Sequence, residues 1–151
     1  MHYEGGVRQE STGWRDEWIS KRHRSWGMDC PATDIDFLMV EYDHREPVAL
    51  VEYKTLGSLD QIGVDRALLD HYPVSKLATL AGLPSLIVGY DSGDATFRVK
   101  ATNAVAEHIG NVDALLGSRW WALSERDYVR LLYLMRKRVL PADLDARLGG
   151  K

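Results

Sequence analysis

The sequence predicts an α/β (α+β) fold, a mixed central sheet flanked by helices, on three observations. Two runs rich in β-branched and aromatic residues, 34–42 and 48–54, enclose a polar turn that ends in Pro47, the pattern of a hairpin. A short apolar run, 85–90 (SLIVGY), is bounded by turn residues and has the length of a buried strand. Segments with helical spacing precede, separate and follow these runs.

The elements follow in order. Residues 1–12 are polar and glycine-containing and are expected to form a flexible N-terminus. Residues 14–25 predict a helix, with Trp14 and Trp18 one turn apart. The hairpin comes next, its loop set at Asp43–Arg45. Ser58 is placed as the N-cap of a helix, with Gln61 as its capping-box partner. That helix is expected to stop near His71, because Tyr72-Pro73 disfavours helical backbone. A shorter helix runs from Ser75 to Gly82, with Pro84 beyond. The alternating run 95–101 predicts a strand near a sheet edge, and 103–116 is weakly helical. Ser124 caps a strong last helix with Tyr128, Leu131, Leu132, Met135 and Val139 at helical spacing, stopped by Pro141. The organisation is thus a terminus (1–12), one domain (13–141) and a polar tail (142–151).

Composition narrows the function. With 151 residues, 45% hydrophobic and 27% charged, the chain suits one soluble domain. No apolar run approaches the roughly 20 residues that span a bilayer, so no membrane partner is expected. The single cysteine, Cys30, offers no internal disulfide, which fits a reducing cytoplasm. A net charge of −3 argues against a protein that coats nucleic acid non-specifically. The charge is nevertheless segregated. Residues 7–26 and 119–138 are net basic, and 29–70 are strongly acidic. Such clusters are either solvated surface or a cation pocket bordered by polyanion-binding faces.

The hairpin carries the candidate chemistry. Glu52 and Lys54 are two apart and share a strand face. With a three-residue loop, paired residue numbers sum to 88, placing Asp36 opposite Glu52 and Asp34 opposite Lys54. Directly paired side chains lie about 5 Å apart at Cβ. Val48–Val51 show no polar alternation, so their strand is expected to be buried on both faces. Carboxylates at the end of such a strand are costly unless paired or bound to a cation. Mg²⁺ suits them, since it prefers hard oxygen ligands and keeps several waters. The plainer reading is an ion pair near a sheet edge.

The Asp36 strand followed by Glu52-Tyr53-Lys54 resembles the PD-(D/E)XK nuclease superfamily over roughly residues 14–90. The resemblance implies a restriction-endonuclease-like sheet and metal-dependent cleavage of DNA phosphodiesters, with Mg²⁺ as cofactor and Mn²⁺ as substitute. It assigns Asp36, Glu52 and the Tyr53 carbonyl to the metal, and Lys54 to orienting a water. It adds Glu17, on the first helix, as a further catalytic carboxylate. Gln61 becomes a phosphate contact. Lys21, Arg22 and Arg24 stand close enough in sequence to Glu17 to serve as nucleic-acid contacts. The proline of the motif is not adjacent here; the chain reads Pro31-Ala32-Thr33-Asp34-Ile35-Asp36, which leaves Asp34 open as the ligand. Each has a plainer role as well: Glu17 pairing with Lys21, Gln61 capping a helix, and the basic residues favoured by a helix C-terminus. Small enzymes of this superfamily often work as dimers, so a homodimer is implied. The last helix and the edge strand near Phe97 are its candidate interfaces. A non-catalytic module of the same fold, binding nucleic acid or a partner protein, is the alternative.

Overall fold

The computed structural model describes residues 3–4, 7–8, 22, 25–26, 35–41, 43–107 and 120–150. The chain divides into two compact units, Met1–Asp34 and Ile35–Lys151.

In the first unit, β1 (Tyr3–Glu4) pairs antiparallel with β2 (Val7–Arg8), so the N-terminal residues expected to be loose include a small hairpin. The expected helix over 14–25 lies outside the described residues except for Arg22 and Ser25. There the Trp26 amide and the Ser25 hydroxyl both donate to the Arg22 carbonyl.

The second unit is a five-stranded mixed sheet with flanking helices, as the sequence predicts. Its elements are β3 (Phe37–Glu41), β4 (Glu46–Thr55), α1 (Leu56–Ile62), α2 (Val64–Leu80), β5 (Ser85–Asp91), β6 (Thr96–Ala101), α3 (Ala104–Glu107), β7 (Trp121–Leu123), α4 (Glu125–Met135) and α5 (Ala142–Gly149). The strand order is β3-β4-β5-β6-β7. All neighbours are antiparallel except β4 and β5, which α1 and α2 connect as a parallel crossover. The expected edge strand β6 is therefore interior; β3 and β7 are the edges.

Strand β4 is buried at Ala49, Leu50 and Val51, as its unbroken apolar run requires. Odd and even residues divide between two cores. Ala49 and Val51 join Leu86, Val88, Val99, Tyr128 and Leu131 beneath α4. Leu50 joins Val74 and Ala78 of α2 on the opposite face. Helix α1 lies against the sheet at Gly89, where a Cβ would stand 2.6 Å from Leu59 Cδ1 and 2.7 Å from Leu56 Cδ2. A side chain there would force both leucine tips to shift.

Several local expectations are corrected. The helix after β4 is capped by Thr55, whose hydroxyl accepts the Ser58 amide at 3.1 Å, and not by Ser58. It breaks at Gly63 (φ +79°) rather than at Pro73. Helix α2 then runs through Pro73, because its buried residues Ala67, His71, Val74, Ser75 and Ala78 keep helical spacing across the proline. Pairs in the β3–β4 hairpin sum to 88 at Phe37–Val51, Leu38–Leu50 and Met39–Ala49, as expected. They then shift to Val40–Pro47 and Glu41–Glu46, with Val48 as the extra residue of a bulge. Helix α4 ends at Met135, leaving Val139 90% exposed. The expected tail folds as α5, held to α4 by Arg126 and Arg130 gripping Asp145 at 2.6 to 3.1 Å. These two guanidiniums hold the Asp145 carboxyl well below its usual range. Of the weak helix over 103–116, the described part is α3.

Candidate active site

Strand β4 outlasts its hairpin partner. It pairs with β3 only as far as Val51, yet stays paired with β5 through Thr55. Among the described residues, Glu52, Tyr53 and Lys54 therefore have no strand paired on the β3 side. Side chains alternate there. Tyr53 turns toward the α4 core, edge-on to Phe37 (4.9 Å between centroids) and with its hydroxyl 2.5 Å from that of Tyr128. Burial raises the pKa of both phenols, so this pair stays protonated. Glu52 and Lys54 share the opposite face, that of α2.

Asp36 lies just before β3, in a bend and exposed. Its carboxylate reaches across to β4 and accepts the Tyr53 amide at 3.3 Å. The alternation of β4 explains why this amide is available. The Leu50 amide donates to the Pro84 carbonyl on the β5 side at 3.0 Å. Amides at odd positions therefore point toward β3, which has ended by Tyr53. In extended backbone the N–H and C=O of one residue lie on the same edge, so the Tyr53 carbonyl faces the Asp36 side as well.

Lys54 Nζ meets Glu52 Oε1 at 2.5 Å. The Glu52 side chain keeps 15% and that of Lys54 30% of its exposure, so the pair lines the surface rather than a sealed core. The hydrogen bond that Lys54 donates to Glu52 raises the lysine pKa against the opposing effect of burial, and the charges of Glu52, Asp36 and Asp70 add to it. Lys54 is accordingly an ammonium throughout the physiological range. The structure thus gathers Asp36, Glu52 and Lys54 where β4 runs beyond β3.

His71, on α2, is the residue that sequence reasoning missed. It is 2% exposed, with Nε2 2.7 Å from the Ser85 hydroxyl, which also accepts a hydrogen bond from Thr102 at 2.8 Å. Its Nδ1 is buried without a partner among the described residues. Burial pushes its pKa down to about 4, while Asp36 acts to raise it and Lys54 to lower it. His71 thus feels the charges of the site. Its place in the series Ala67, His71, Val74, Ala78 was the available signal, hidden by the expectation of a stop at Pro73.

Of the remaining candidates, only Gln61 and Arg22 fall among the described residues. Gln61 is exposed on α1. Arg22 is exposed in the first unit. Glu17, Lys21, Arg24 and Asp34 lie outside the described residues. A groove of about 830 Å³ bordered by Glu46, Leu83, Met135 and Arg136 includes none of Asp36, Glu52 or Lys54.

Among the described residues, no group of three or more His, Cys, Asp or Glu side chains can hold a metal. A divalent cation at β4 would rest on Asp36, Glu52 and the Tyr53 carbonyl, completing its shell with water. That donor set fits Mg²⁺, which commonly takes only one or two protein carboxylates. Among the described residues no helix is long and apolar enough to cross a membrane. Comparison with protein-family models, with curated proteins and with solved structures gives no match to this chain.

Proposed function

We propose that the chain is a divalent-metal-dependent nuclease that hydrolyses DNA phosphodiester bonds, an endonuclease recognising structure more than sequence. The observation that supports this reading is the meeting of Asp36, Glu52 and Lys54 where β4 runs beyond β3. On this reading the site resembles the PD-(D/E)XK arrangement. Asp36 and Glu52 hold the cation with the Tyr53 carbonyl. When bound, Mg²⁺ or Mn²⁺ supplies Lewis acidity at the scissile phosphate. The Lys54 ammonium, held beside Glu52, would donate hydrogen bonds that orient a water and offset phosphate charge. A unit of this size has little room for a separate specificity module, so duplex shape and deformability are its natural cues. The same reading places the protein in the cytoplasm with nucleic acid as its partner.

Cleavage of plasmid and branched DNA with Mg²⁺ or Mn²⁺ is the test. Wild type cuts, and Asp36→Ala and Lys54→Ala each lower the rate at least about a hundredfold. Equal cleavage by all three proteins, or none by any, would refute the assignment.

A module of the same fold that binds without cutting is the second reading. The Glu52–Lys54 contact favours it, because the pair satisfies both charges with no cation. Calorimetric titration with Mn²⁺ separates the two. The nuclease binds Mn²⁺ and loses that binding in Glu52→Gln, whereas the module shows no carboxylate-dependent binding.

A further inference from the structure

Helix α2 is apolar on two opposite sides. One side covers the sheet with Ala67, Val74 and Ala78. The other presents Leu69 (66% exposed), Tyr72 (62%), Leu77 (49%) and Leu80 (79%). At 3.6 residues per turn, Asp65, Leu69, Pro73, Lys76 and Leu80 fall within roughly 80° of arc, with Tyr72 and Leu77 on either flank. A helix apolar all round is ordinarily covered all round, and a contiguous exposed apolar patch ordinarily marks an interface.

The charges on this stripe select what covers it. Arg66 and Asp70 pair with each other at 3.0 Å. Asp65 and Lys76 are exposed, and neither has an ion-pair partner among the described residues. They stand about 16 Å apart along the helix, with Leu69 and Tyr72 between them. If two copies pair antiparallel with residues at one level summing to 141, Leu69 meets Tyr72 of the second copy. In the same register Asp65 meets Lys76, and by symmetry each contact occurs twice. Parallel pairing would instead set Asp65 against Asp65 and Lys76 against Lys76. We infer that the outer face of α2 is a homodimer interface, closed antiparallel on a second copy and held in register by Asp65–Lys76 pairs. This surface is neither the last helix nor the strand near Phe97, and the inference does not depend on the nuclease reading.

Sedimentation equilibrium of the full chain tests it, with far-UV circular dichroism confirming the fold of each variant. The wild type is a dimer, and Leu69→Glu, a change at an exposed position, makes it a monomer. Asp65→Lys and Lys76→Asp each turn two attractive contacts into two repulsive ones and weaken the dimer about tenfold or more. The double variant carrying both changes recovers wild-type affinity, because Lys at 65 then faces Asp at 76. A wild type that stays monomeric at roughly 100 μM overturns the inference. So does a dimer that either single reversal leaves intact, or one that the double reversal fails to restore.

Discussion

Burial holds the His71 imidazole neutral, with its pKa down at about 4. The unfolded chain takes up this proton near pH 6.5, so between these values the unfolded state binds more protons than the native one. Stability is therefore fully present above about pH 6.5 and is lost as pH falls toward 4, by on the order of 2 kcal/mol once solvent screening is allowed for. Glu41, held low first by Arg136, and Asp145, held low first by Arg126, lose their contributions only below the ordinary carboxylate range. Urea denaturation of wild type and His71→Gln between pH 7.5 and 4.5 isolates the histidine: the wild type declines steeply and the variant is flatter. Parallel curves would show that the buried imidazole titrates freely. At this scale the sequence was informative where chemistry and register coincide. Asp36, Glu52 and Lys54 could be read from strand alternation and a hairpin sum of 88, a sum the pairs nearest them keep. His71 could not, because its meaning comes from a hydroxyl and a helix face that the next proline seemed to end.

At the scale of elements, Pro73 shows why boundaries are hard to read. Proline removes one helical hydrogen bond and crowds the carbonyl four residues back, so a stop was the economical expectation. The fold overrides it. Pro73 and Leu69 lie on the exposed side of α2, and Val74 and Ala78 beyond the proline are needed to cover Leu50. Burial of these side chains outweighs one missing bond. Pro73→Ala returns an amide to the Leu69 carbonyl and removes the crowding, at the cost of a freer unfolded chain. The net effect expected in chemical denaturation is stabilisation by about 1 kcal/mol; destabilisation would mean that the proline ring itself is required for packing. The β3–β4 hairpin makes the same point in strands. The polar turn falls where expected, yet Glu46 pairs with Glu41 rather than with Tyr42, because Val48 bulges and the last two pairs slip by one. That slip sets Glu41 against Glu46, a repulsive pair that becomes tolerable because Arg136 and Arg138 each bind Glu41 at 3.0 Å. Nothing local to the hairpin announces those arginines, which lie 95 and 97 residues away.

At the scale of the whole molecule, charge segregation is substantially an internal matter among the described residues of the second unit. The acidic centre and the basic C-terminal segment meet in the second unit. Arg136 and Arg138 bind Glu41, Arg138 also binds Asp43, and Arg126 and Arg130 share Asp145. Arg66 is held by Asp70, and Lys54 by Glu52. Cations already paired within the protein release few counterions when they approach a phosphate backbone, because their charge is compensated before binding. The affinity of such a surface for DNA should therefore respond weakly to salt. On the nuclease reading, with divalent ions chelated, the logarithm of DNA affinity plotted against that of salt should have a slope of magnitude about 3 or less. A slope beyond about 6 would mean that the Arg126–Asp145 and Arg136–Glu41 clusters open to engage phosphates. Substituting Arg138→Gln then decides what that cluster does. In the closed case it leaves the slope unchanged and lowers stability toward acid, since Glu41 loses a partner that keeps it ionised. In the open case the slope falls by about one unit.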